Sequence, residues 1–303
     1  MKVVLTGAAG QLGQALIQSC PPLLKGEPLQ LIACSRSQLD LADAEACRRL
    51  VLEHRPDWLI NAGAYTAVDK AEGEPQLAQA VNAAAPQAFA EALQTSGGSL
   101  LQLSTDFVFN GRQGSPYQPE QAPDPLGVYG ASKAAGERAA LQLPGARVLR
   151  TSWVYGPVGR NFCLTMLRLH RERAVSQQPL GVVADQVGCP TATHTLAASC
   201  WRALTLDPES PRILHWSDAG AASWYDFAIA IGDLAVELGL LEQAAPVLPL
   251  TTAQYPTPAR RPGYSLLDGV ASRAALQLEP QHWRHALRAV LTGIASASAA
   301  KAR

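Results

Sequence analysis

The 303-residue sequence has no excess of charge of either sign, because 25 lysines and arginines balance 25 aspartates and glutamates. Net charge therefore gives no argument for binding to nucleic acid or to a membrane surface, and any site for an anion must be local. The chain is 48% hydrophobic and 17% charged, which is typical of a compact folded protein and not of a disordered one.

Long apolar runs and paired cysteines are also missing. The opening MKVVLTGAAG has too short an apolar run for a signal peptide or a membrane span, so neither is expected. The six cysteines are scattered and form no C-x-x-C pair, which predicts free thiols in a cytoplasmic protein. The stretch HWRH contains His282 and His285 without a nearby carboxylate, so no metal site is predicted there.

Short strand-like runs alternate with helical stretches through the first half of the chain. The runs KVVLT, LQLIAC, DWLINA, SLLQLST and ARVLRTS are typical of buried strands. This alternation predicts an α/β fold with a doubly wound parallel Rossmann sheet. A later strand in RILHWSD is expected to complete that sheet.

After Trp153 the alternation changes, and a smaller C-terminal substrate domain is expected. We assign residues 1–157, plus about 194–218, to the dinucleotide-binding domain, and residues 158–193 and 219–303 to the substrate domain. The proline-rich stretch 246–265 is predicted to be an irregular loop packed over a site. The low-complexity tail GIASASAAKAR is predicted to be frayed or disordered.

The stretch TGAAGQLG follows the first strand and opens the first helix. Gly7, Gly10 and Gly13 form G-x-x-G-x-x-G, one residue wider than the usual dinucleotide fingerprint. Glycines let the backbone turn and approach a diphosphate, and the helix N-terminus offers free N–H groups to that anion. Dinucleotide binding is therefore predicted here.

The end of the second strand bears on which nicotinamide cofactor binds. An acid at this position would indicate NAD(H), but the sequence has Ser35 and Arg36. Because a guanidinium suits a 2′-phosphate, NADPH is predicted, with NADH still possible and a solvated surface arginine as the alternative. Asp40, followed by Leu41, is placed to cap the next helix or to contact the adenine.

In VYGASKAAGE, a tyrosine precedes a lysine by four residues, so that the two share one helix face. The positive charge of Lys133 is expected to lower the pKa of Tyr129 from about 10. A phenol tuned in this way can exchange a proton with a substrate oxygen. Alone, the spacing also occurs by chance.

Taken together, these motifs and several others resemble the dTDP-4-dehydrorhamnose reductase family of the extended short-chain dehydrogenase/reductase superfamily. The resemblance runs from residue 1 to about 292. It is carried by the stretches GAAGQLG, NAGAYTAVDKAE, VNAAAP, LSTDFVFNG, YGASKAAGE, RTSWVYGP, DQVGCPT and RRPGYSLLD.

The resemblance implies reduction of the 4-keto group of dTDP-4-dehydro-L-rhamnose to give dTDP-L-rhamnose, a step of carbohydrate biosynthesis. It identifies Thr105, Tyr129 and Lys133 as catalytic residues. Thr105 would donate a hydrogen bond to the carbonyl oxygen, and Tyr129 would protonate it. Lys133 would tune the phenol and hold the nicotinamide ribose.

Binding residues follow by matching. The resemblance implies cofactor contacts from Gly7, Gly10, Gln11, Leu12, Gly13, Ser35, Arg36, Asp40, Leu41, Ala62, Gly63, Ala64, Tyr65, Tyr129 and Lys133. It implies substrate contacts from Val68, Asp69, Thr105, Asp106, Trp153, Asp185, Gln186 and Arg260. For Trp153 the alternative is a core tryptophan, and for Arg260 it is a solvated arginine.

Two departures from the family pattern affect these expectations. Phe107 stands where the family has tyrosine, so a hydroxyl is lost near the site. No carboxylate cluster follows CPT, so a metal-bridged dimer is not expected and the oligomeric state stays open. The nucleotide on the sugar also stays open.

Two other function classes remain as rivals. An epimerase of the same superfamily would use the same tyrosine and lysine but recycle its cofactor; a dehydratase would carry an acid pair after the threonine, where this chain has Asp106 and Phe107. A non-catalytic regulatory subunit would keep the fold for binding alone, but it would have no need for a tuned phenol.

Overall fold

Six parallel strands form the central sheet of the protein, which a computed structural model describes over residues 1–301. The elements of the first half are β1 (Lys2–Thr6), α1 (Gln11–Gln18), β2 (Leu23–Leu24), β3 (Glu27–Pro28), β4 (Gln30–Cys34), α2 (Ala44–His54), β5 (Trp58–Asn61), α3 (Val68–Ala71), α4 (Pro75–Gln79), α5 (Ala85–Ser96), β6 (Ser99–Thr105), α6 (Val128–Ala140) and β7 (Arg147–Thr151). A π-helical turn, Ala80–Ala84, joins α4 to α5.

The elements of the second half are β8 (Val154–Tyr155), α7 (Phe162–Val175), β9 (Leu180–Val183), β10 (Val187–Gly188), β11 (Thr191–Ala192), α8 (Thr193–Ala203), β12 (Ile213–His215), β13 (Ala222–Ser223), α9 (Trp224–Glu237), β14 (Val247–Leu250), α10 (Val270–Leu276) and α11 (Trp283–Lys301). The Asn161 side chain caps α7 by accepting from the Leu164 N–H.

The strand order in the sheet is β12-β7-β6-β5-β1-β4, and every pairing is parallel. The predicted doubly wound α/β fold is confirmed, and so is the strand in RILHWSD, which forms the edge strand β12. The order reverses between β1 and β5. Ligands of open α/β sheets bind in the crevice at such a reversal, outside the carboxyl ends of the strands.

Helices cover both faces of the sheet. On one face, α1 and α8 bury residues such as Leu16 and Leu196, and on the other, α2, α5 and α6 pack around Phe89 and Leu93. A separate apolar cluster gathers α7, α9 and α11 around Phe227 and lies entirely in the second half of the chain.

Two expectations for the C-terminal third are wrong. Residues Val247–Leu250, predicted to be irregular, form β14 and pair in parallel with β9. Pro249 is tolerated there because β14 has only one neighbouring strand and sits at an edge. The tail predicted to be frayed continues α11 to Lys301, while Ala302 and Arg303 lie outside the described residues.

Candidate active site

A cavity of about 720 Å³ opens where the strand order reverses, at the carboxyl ends of β1 and β5. A polar chain crosses the same strand ends. The Thr6 hydroxyl donates to Asn61 Oδ1 at 2.6 Å, and Asn61 Nδ2 donates to Gln102 Oε1 at 2.8 Å. These bonds link β1, β5 and β6 and hold their ends in register beneath the cavity.

The glycine loop lines one wall of this cavity, and its glycines are sterically required. A Cβ on Gly13 would lie 2.2 Å from the Gly7 carbonyl oxygen, and one on Gly7 would lie 2.7 Å from the Gly63 nitrogen. Gly7 also has φ +70°, which favours glycine. No side chain caps the N-terminus of α1 at Gly10, so its first N–H groups face the cavity without a side-chain acceptor. This wall fits a diphosphate.

Most of the residues predicted to contact the adenine end of the cofactor line this cavity. Arg36, Asp40 and Leu41 line the cavity, and Arg36 is exposed. Ser35 does not line it, because its hydroxyl donates to Gln38 Oε1 at 2.8 Å in a local turn. A cofactor contact from the Ser35 side chain stays a prediction.

Small residues after β5 bring the chain past the cavity, as the sequence predicts for Ala62, Gly63, Ala64 and Tyr65. Asn82, to which the sequence analysis assigned no role, holds this segment. Its side chain accepts from the Tyr65 N–H at 2.9 Å and donates to the Tyr65 carbonyl at 3.0 Å.

Asn82 also connects this segment to α6, the helix that carries Tyr129 and Lys133. Its amide donates to the hydroxyl of Ser132 on α6 at 3.1 Å. Helix α6 approaches the π-helical turn so closely that a Cβ on Gly136 would lie 2.0 Å from the Asn82 carbonyl. The available signal for Asn82 was the stretch VNAAAP, which the resemblance included without a role.

Thr105, Tyr129 and Lys133 come together at the carboxyl end of β6 and the first turns of α6. Tyr129 and Lys133 line the large cavity, while Thr105 is buried beside them. Lys133 Nζ donates to the Leu103 carbonyl at 2.6 Å, and the Thr105 hydroxyl donates to Asp106 Oδ1 at 3.0 Å.

The expectation that Lys133 lowers the pKa of Tyr129 is wrong for this structure. Burial raises the pKa of Tyr129 to about 12, a hydrogen bond with Thr105 lowers it only in part, and the charge of Asp106 adds to the rise. Burial likewise lowers the pKa of Lys133 to about 8, against the opposing charge of Glu137. The phenol therefore keeps its proton at neutral pH, which is the state that a proton donor needs.

A buried ion pair between Glu137 and Arg150 lies near Lys133. Arg150 donates from Nε and Nη2 to the Glu137 carboxylate at 2.9 and 2.7 Å, and both side chains are almost fully buried. Ser104, next to Thr105, donates to the same carboxylate at 2.5 Å. Burial and the Arg150 charge lower the pKa of His215 to about 3, so this neutral ring can accept from Arg150 Nη1 at 3.3 Å.

A second, narrow crevice of about 10 Å³ meets the other side of Tyr129. It is lined by Val68, Phe107 and Arg260, so two of the predicted substrate residues lie next to the phenol. The Phe107 ring packs edge-on against the Tyr129 ring, with centroids 5.6 Å apart. Tyr129 lines both the large cavity and this crevice.

The predicted substrate residue Asp69 is bound by a neighbouring loop. Its carboxylate accepts from Arg261 Nη1 at 3.0 Å and Nη2 at 2.8 Å, and from the Ala259 N–H at 3.2 Å. Arg261 lowers the pKa of Asp69. The arginine that meets Asp69 is thus Arg261 and not its neighbour Arg260, which stays exposed beside the crevice.

Trp153 lines neither the cavity nor the crevice. Its ring stacks on Trp224, with centroids 3.5 Å apart and planes within 6°, and a Cβ on Gly188 would lie 2.6 Å from it. The backbone of Trp153 is left-handed, with φ +47°, a strained conformation for a bulky residue that is common near functional sites.

Three further predicted substrate residues line neither the cavity nor the crevice, and they contact other protein groups. Asp185 accepts from the Thr252 N–H at 2.8 Å, and Gln186 Nε2 donates to the Thr252 hydroxyl at 3.0 Å. Asp106 is fully buried below Thr105, and burial raises its pKa to about 6. Direct ligand contacts from the buried side chains of Gln186 and Asp106 would require rearrangement, whereas Asp185 is exposed.

Over residues 1–301, no group of three or more histidine, cysteine, aspartate or glutamate side chains is arranged to hold a metal ion. In the same described part of the chain, no helix is both long and apolar enough to cross a bilayer.

Comparison with known proteins agrees with this geometry. Residues 1–296 match the family model described as the RmlD substrate binding domain. The chain is 39% identical to the dTDP-4-dehydrorhamnose reductase of Aggregatibacter actinomycetemcomitans, over 95% of this chain and 97% of that protein. It is 40% identical to a probable dTDP-4,6-dihydroxy-2-methyloxan-3-one 4-ketoreductase of Streptomyces antibioticus, over 98% of this chain and 97% of that protein.

Among solved structures, the dTDP-4-dehydrorhamnose reductase of Bacillus anthracis in complex with NADP superposes with a TM-score of 0.87 and 33% identity, covering 96% of this chain and 99% of that chain. The match of the family model over nearly the whole length and the relatives near 40% identity are independent of the site geometry described above. The chain therefore belongs to the dTDP-4-dehydrorhamnose reductase family of the extended short-chain dehydrogenase/reductase superfamily.

Proposed function

We propose that the protein is an NADPH-dependent oxidoreductase that reduces the 4-keto group of dTDP-4-dehydro-L-rhamnose to give dTDP-L-rhamnose. The main support for this proposal is the position of Tyr129, which lines both the large cavity and the crevice. A proton donor between a cofactor and a sugar must face both. Relatives that cover nearly the whole chain are named for this reaction.

The large cavity is assigned to the dinucleotide. The loop of Gly7, Gly10 and Gly13, with Gln11 and Leu12, would hold the diphosphate, and the segment from Ala62 to Tyr65 would pass beneath it. Arg36 supports NADPH because a guanidinium pairs with a 2′-phosphate in two-point geometry. The NADP complex of the Bacillus anthracis relative supports the same choice; NADH remains the alternative.

A bound, reduced nicotinamide would supply the hydride. Tyr129 then donates its phenolic proton to the oxygen that was the 4-keto group. Because an alkoxide is a far stronger base than a phenolate, a phenol with a pKa of about 12 still transfers its proton readily. Lys133, on the same cavity wall, is placed to hold ribose hydroxyls.

Thr105 is assigned to bind the developing oxyanion. Its hydroxyl now donates to Asp106 and would turn to the substrate oxygen, where a donor stabilises the transition state. In this assignment Asp106 orients Thr105 and does not touch the sugar itself.

The substrate is assigned to the crevice, which is too small for a sugar nucleotide in this conformation. We expect the segment 257–263, held by the Arg261–Asp69 pair, to move when the substrate binds. Val68, Asp69, Arg260, Trp153, Asp185 and Gln186 remain the proposed substrate residues.

We also propose the domain division of residues 1–157 and about 194–218 against 158–193 and 219–303. It is supported by the separate apolar clusters of the two parts. A cytoplasmic location is proposed as well, and the six free cysteines support a reducing compartment.

A second candidate function is reduction of a different 4-keto dTDP-sugar. It is supported by the 40% identity to the probable 4-ketoreductase of Streptomyces antibioticus. An epimerase and a regulatory subunit remain more distant alternatives.

The test measures NADPH oxidation by the purified protein with dTDP-4-dehydro-L-rhamnose, made in situ by the preceding enzymes of the pathway. One NADPH should be consumed for each dTDP-L-rhamnose formed. Faster turnover of another 4-keto sugar would favour the second candidate. Conversion without net NADPH consumption would favour an epimerase, and cofactor binding without any turnover would favour the regulatory subunit.

A further inference from the structure

The loop between β8 and α7 is built around one side chain. Asn161 caps α7, and its amide donates to the carbonyls of Gly156 and Val158 at 2.9 and 3.2 Å. Gly159, with φ +78°, makes the turn that such a closed loop requires. These bonds fix the position of the loop relative to α7.

The same loop is fastened to the first residue of the phosphate-binding helix. Gln11 Nε2 donates to the Val154 carbonyl at 3.1 Å, and Asn161 Nδ2 donates to Gln11 Oε1 at 3.2 Å. A Cβ on Gly159 would lie 3.7 Å from Gln11 Cβ, an ordinary contact. The loop therefore sits against the N-terminus of α1, although Gln11 and Asn161 are 150 residues apart.

This arrangement brings Arg160 to the cavity wall. Arg160 is exposed and lines the large cavity together with Gly159, Gly10 and Gln11. Because the Arg160 side chain is exposed at this wall, its donors are available to a ligand.

The glycine loop offers a diphosphate only backbone N–H groups and the partial charge of a short helix, whereas the ligand carries full negative charges. A guanidinium above the same wall supplies the missing formal charge and can bind two phosphate oxygens at once. Arg36 cannot serve this purpose, because it follows β4 at the adenine end.

We propose that Arg160 binds the diphosphate of the dinucleotide and acts as a second cationic anchor, separate from the 2′-phosphate anchor Arg36. The proposal rests on the proposed function only in requiring that a nicotinamide dinucleotide occupies the cavity. The loop between β8 and α7 would thus take part in cofactor binding, and Gln11 would keep it in place.

Binding is measured by calorimetry on the intact protein with four ligands: NADPH, NADH, adenosine 5′-diphosphate and adenosine 2′-monophosphate. Arg160→Ala should weaken the three ligands that contain a diphosphate by about tenfold or more, the usual effect of losing a hydrogen bond to a charged group. It should leave adenosine 2′-monophosphate unchanged. Arg36→Ala should show the opposite pattern, weakening NADPH and adenosine 2′-monophosphate only.

Two further variants sharpen the test. Arg138→Ala is the matched control, because Arg138 is exposed on α6, lines neither opening and should change no affinity. Arg160→Lys should recover part of the affinity, since it restores the charge without the two-point geometry.

Unchanged affinities in Arg160→Ala would overturn the proposal. A loss confined to NADPH and adenosine 2′-monophosphate would overturn it too, by assigning Arg160 to the 2′-phosphate, and so would a change only in the KM for the sugar nucleotide. If the predicted pattern appears in a protein that reduces no sugar, the proposed function fails and this inference stands.

Discussion

The buried Glu137–Arg150 pair near Lys133 should contribute strongly to the stability of the fold. Arg150→Met removes the two hydrogen bonds to Glu137, at 2.9 and 2.7 Å, and those from Nη1 to the Pro119 carbonyl and to His215. It leaves the Glu137 carboxylate buried, with Ser104 as its remaining side-chain donor. Removing one partner of a buried pair costs about 3–5 kcal/mol, because the other charge is left uncompensated. We expect a loss in that range in the free energy of unfolding at pH 7.

The assay is urea unfolding followed by both circular dichroism and tryptophan fluorescence, with coincident transitions as the condition for a two-state analysis. Arg288→Met is the matched control. Arg288 makes an equally short pair with Glu237, at 2.6 and 2.7 Å, but side-chain exposures of 43% and 58% put that pair at the surface. Such surface pairs contribute about 0–1 kcal/mol.

A further result would identify the buried carboxylate as the cause. The double variant Glu137→Gln/Arg150→Met should recover most of the loss, because no uncompensated carboxylate is left buried. A loss below about 1 kcal/mol for Arg150→Met, or a double variant as unstable as the single one, would refute this reasoning.

Three other predictions concern the cavity. Because burial lowers the pKa of Lys133 to about 8, kcat/KM should fall above about pH 8 as the ammonium is lost, and a profile flat to about pH 10 would contradict a buried Lys133. Arg36→Ala should raise the KM for NADPH much more than that for NADH, and equal losses would refute the 2′-phosphate assignment. Gly13→Ala should destabilise the fold by about 1–3 kcal/mol or more in thermal unfolding, because its Cβ would lie 2.2 Å from the Gly7 carbonyl. Gly114→Ala, with open space around its Cβ, should be close to neutral, and equal effects of the two changes would argue against the tight loop.

Local signals account for the parts of the site that could be predicted. The glycine loop and the Tyr129–Lys133 spacing each depend on one strand–turn–helix unit or one helical turn, which a short stretch of sequence determines. The parallel sheet followed from the alternation of strands and helices, and it brings the ends of β1, β5 and β6 to one edge. The cavity forms there for topological reasons.

Contacts between distant segments could not be predicted in the same way. Asp69 meets Arg261, 192 residues away, and nothing local distinguishes that arginine from Arg260. Trp153 lies against Trp224 because the apolar cluster around Phe227 brings the connection between β7 and β8 next to the start of α9. The strand β14 depends on its partner β9, so its own proline-rich sequence indicated a loop.

The pKa of Tyr129 could not be predicted from the sequence either. The spacing of Tyr129 and Lys133 indicated a lowered phenol pKa, but the outcome depends on burial and on where the ammonium points. In the structure Lys133 donates to the Leu103 carbonyl, while Asp106 lies buried near the phenol. Both are tertiary effects that sequence spacing does not contain.

We propose that the Tyr129 phenol delivers the proton to a sugar ketone while the neighbouring cavity holds the cofactor. Tyr129→Phe tests this proposal when it is measured for both turnover with dTDP-4-dehydro-L-rhamnose and the Kd for NADPH. We expect kcat to fall by about 10²–10⁴-fold and the Kd to stay unchanged, because the ring stays and only the proton donor is lost. Full turnover in this variant, or a loss explained entirely by weaker NADPH binding, would contradict it.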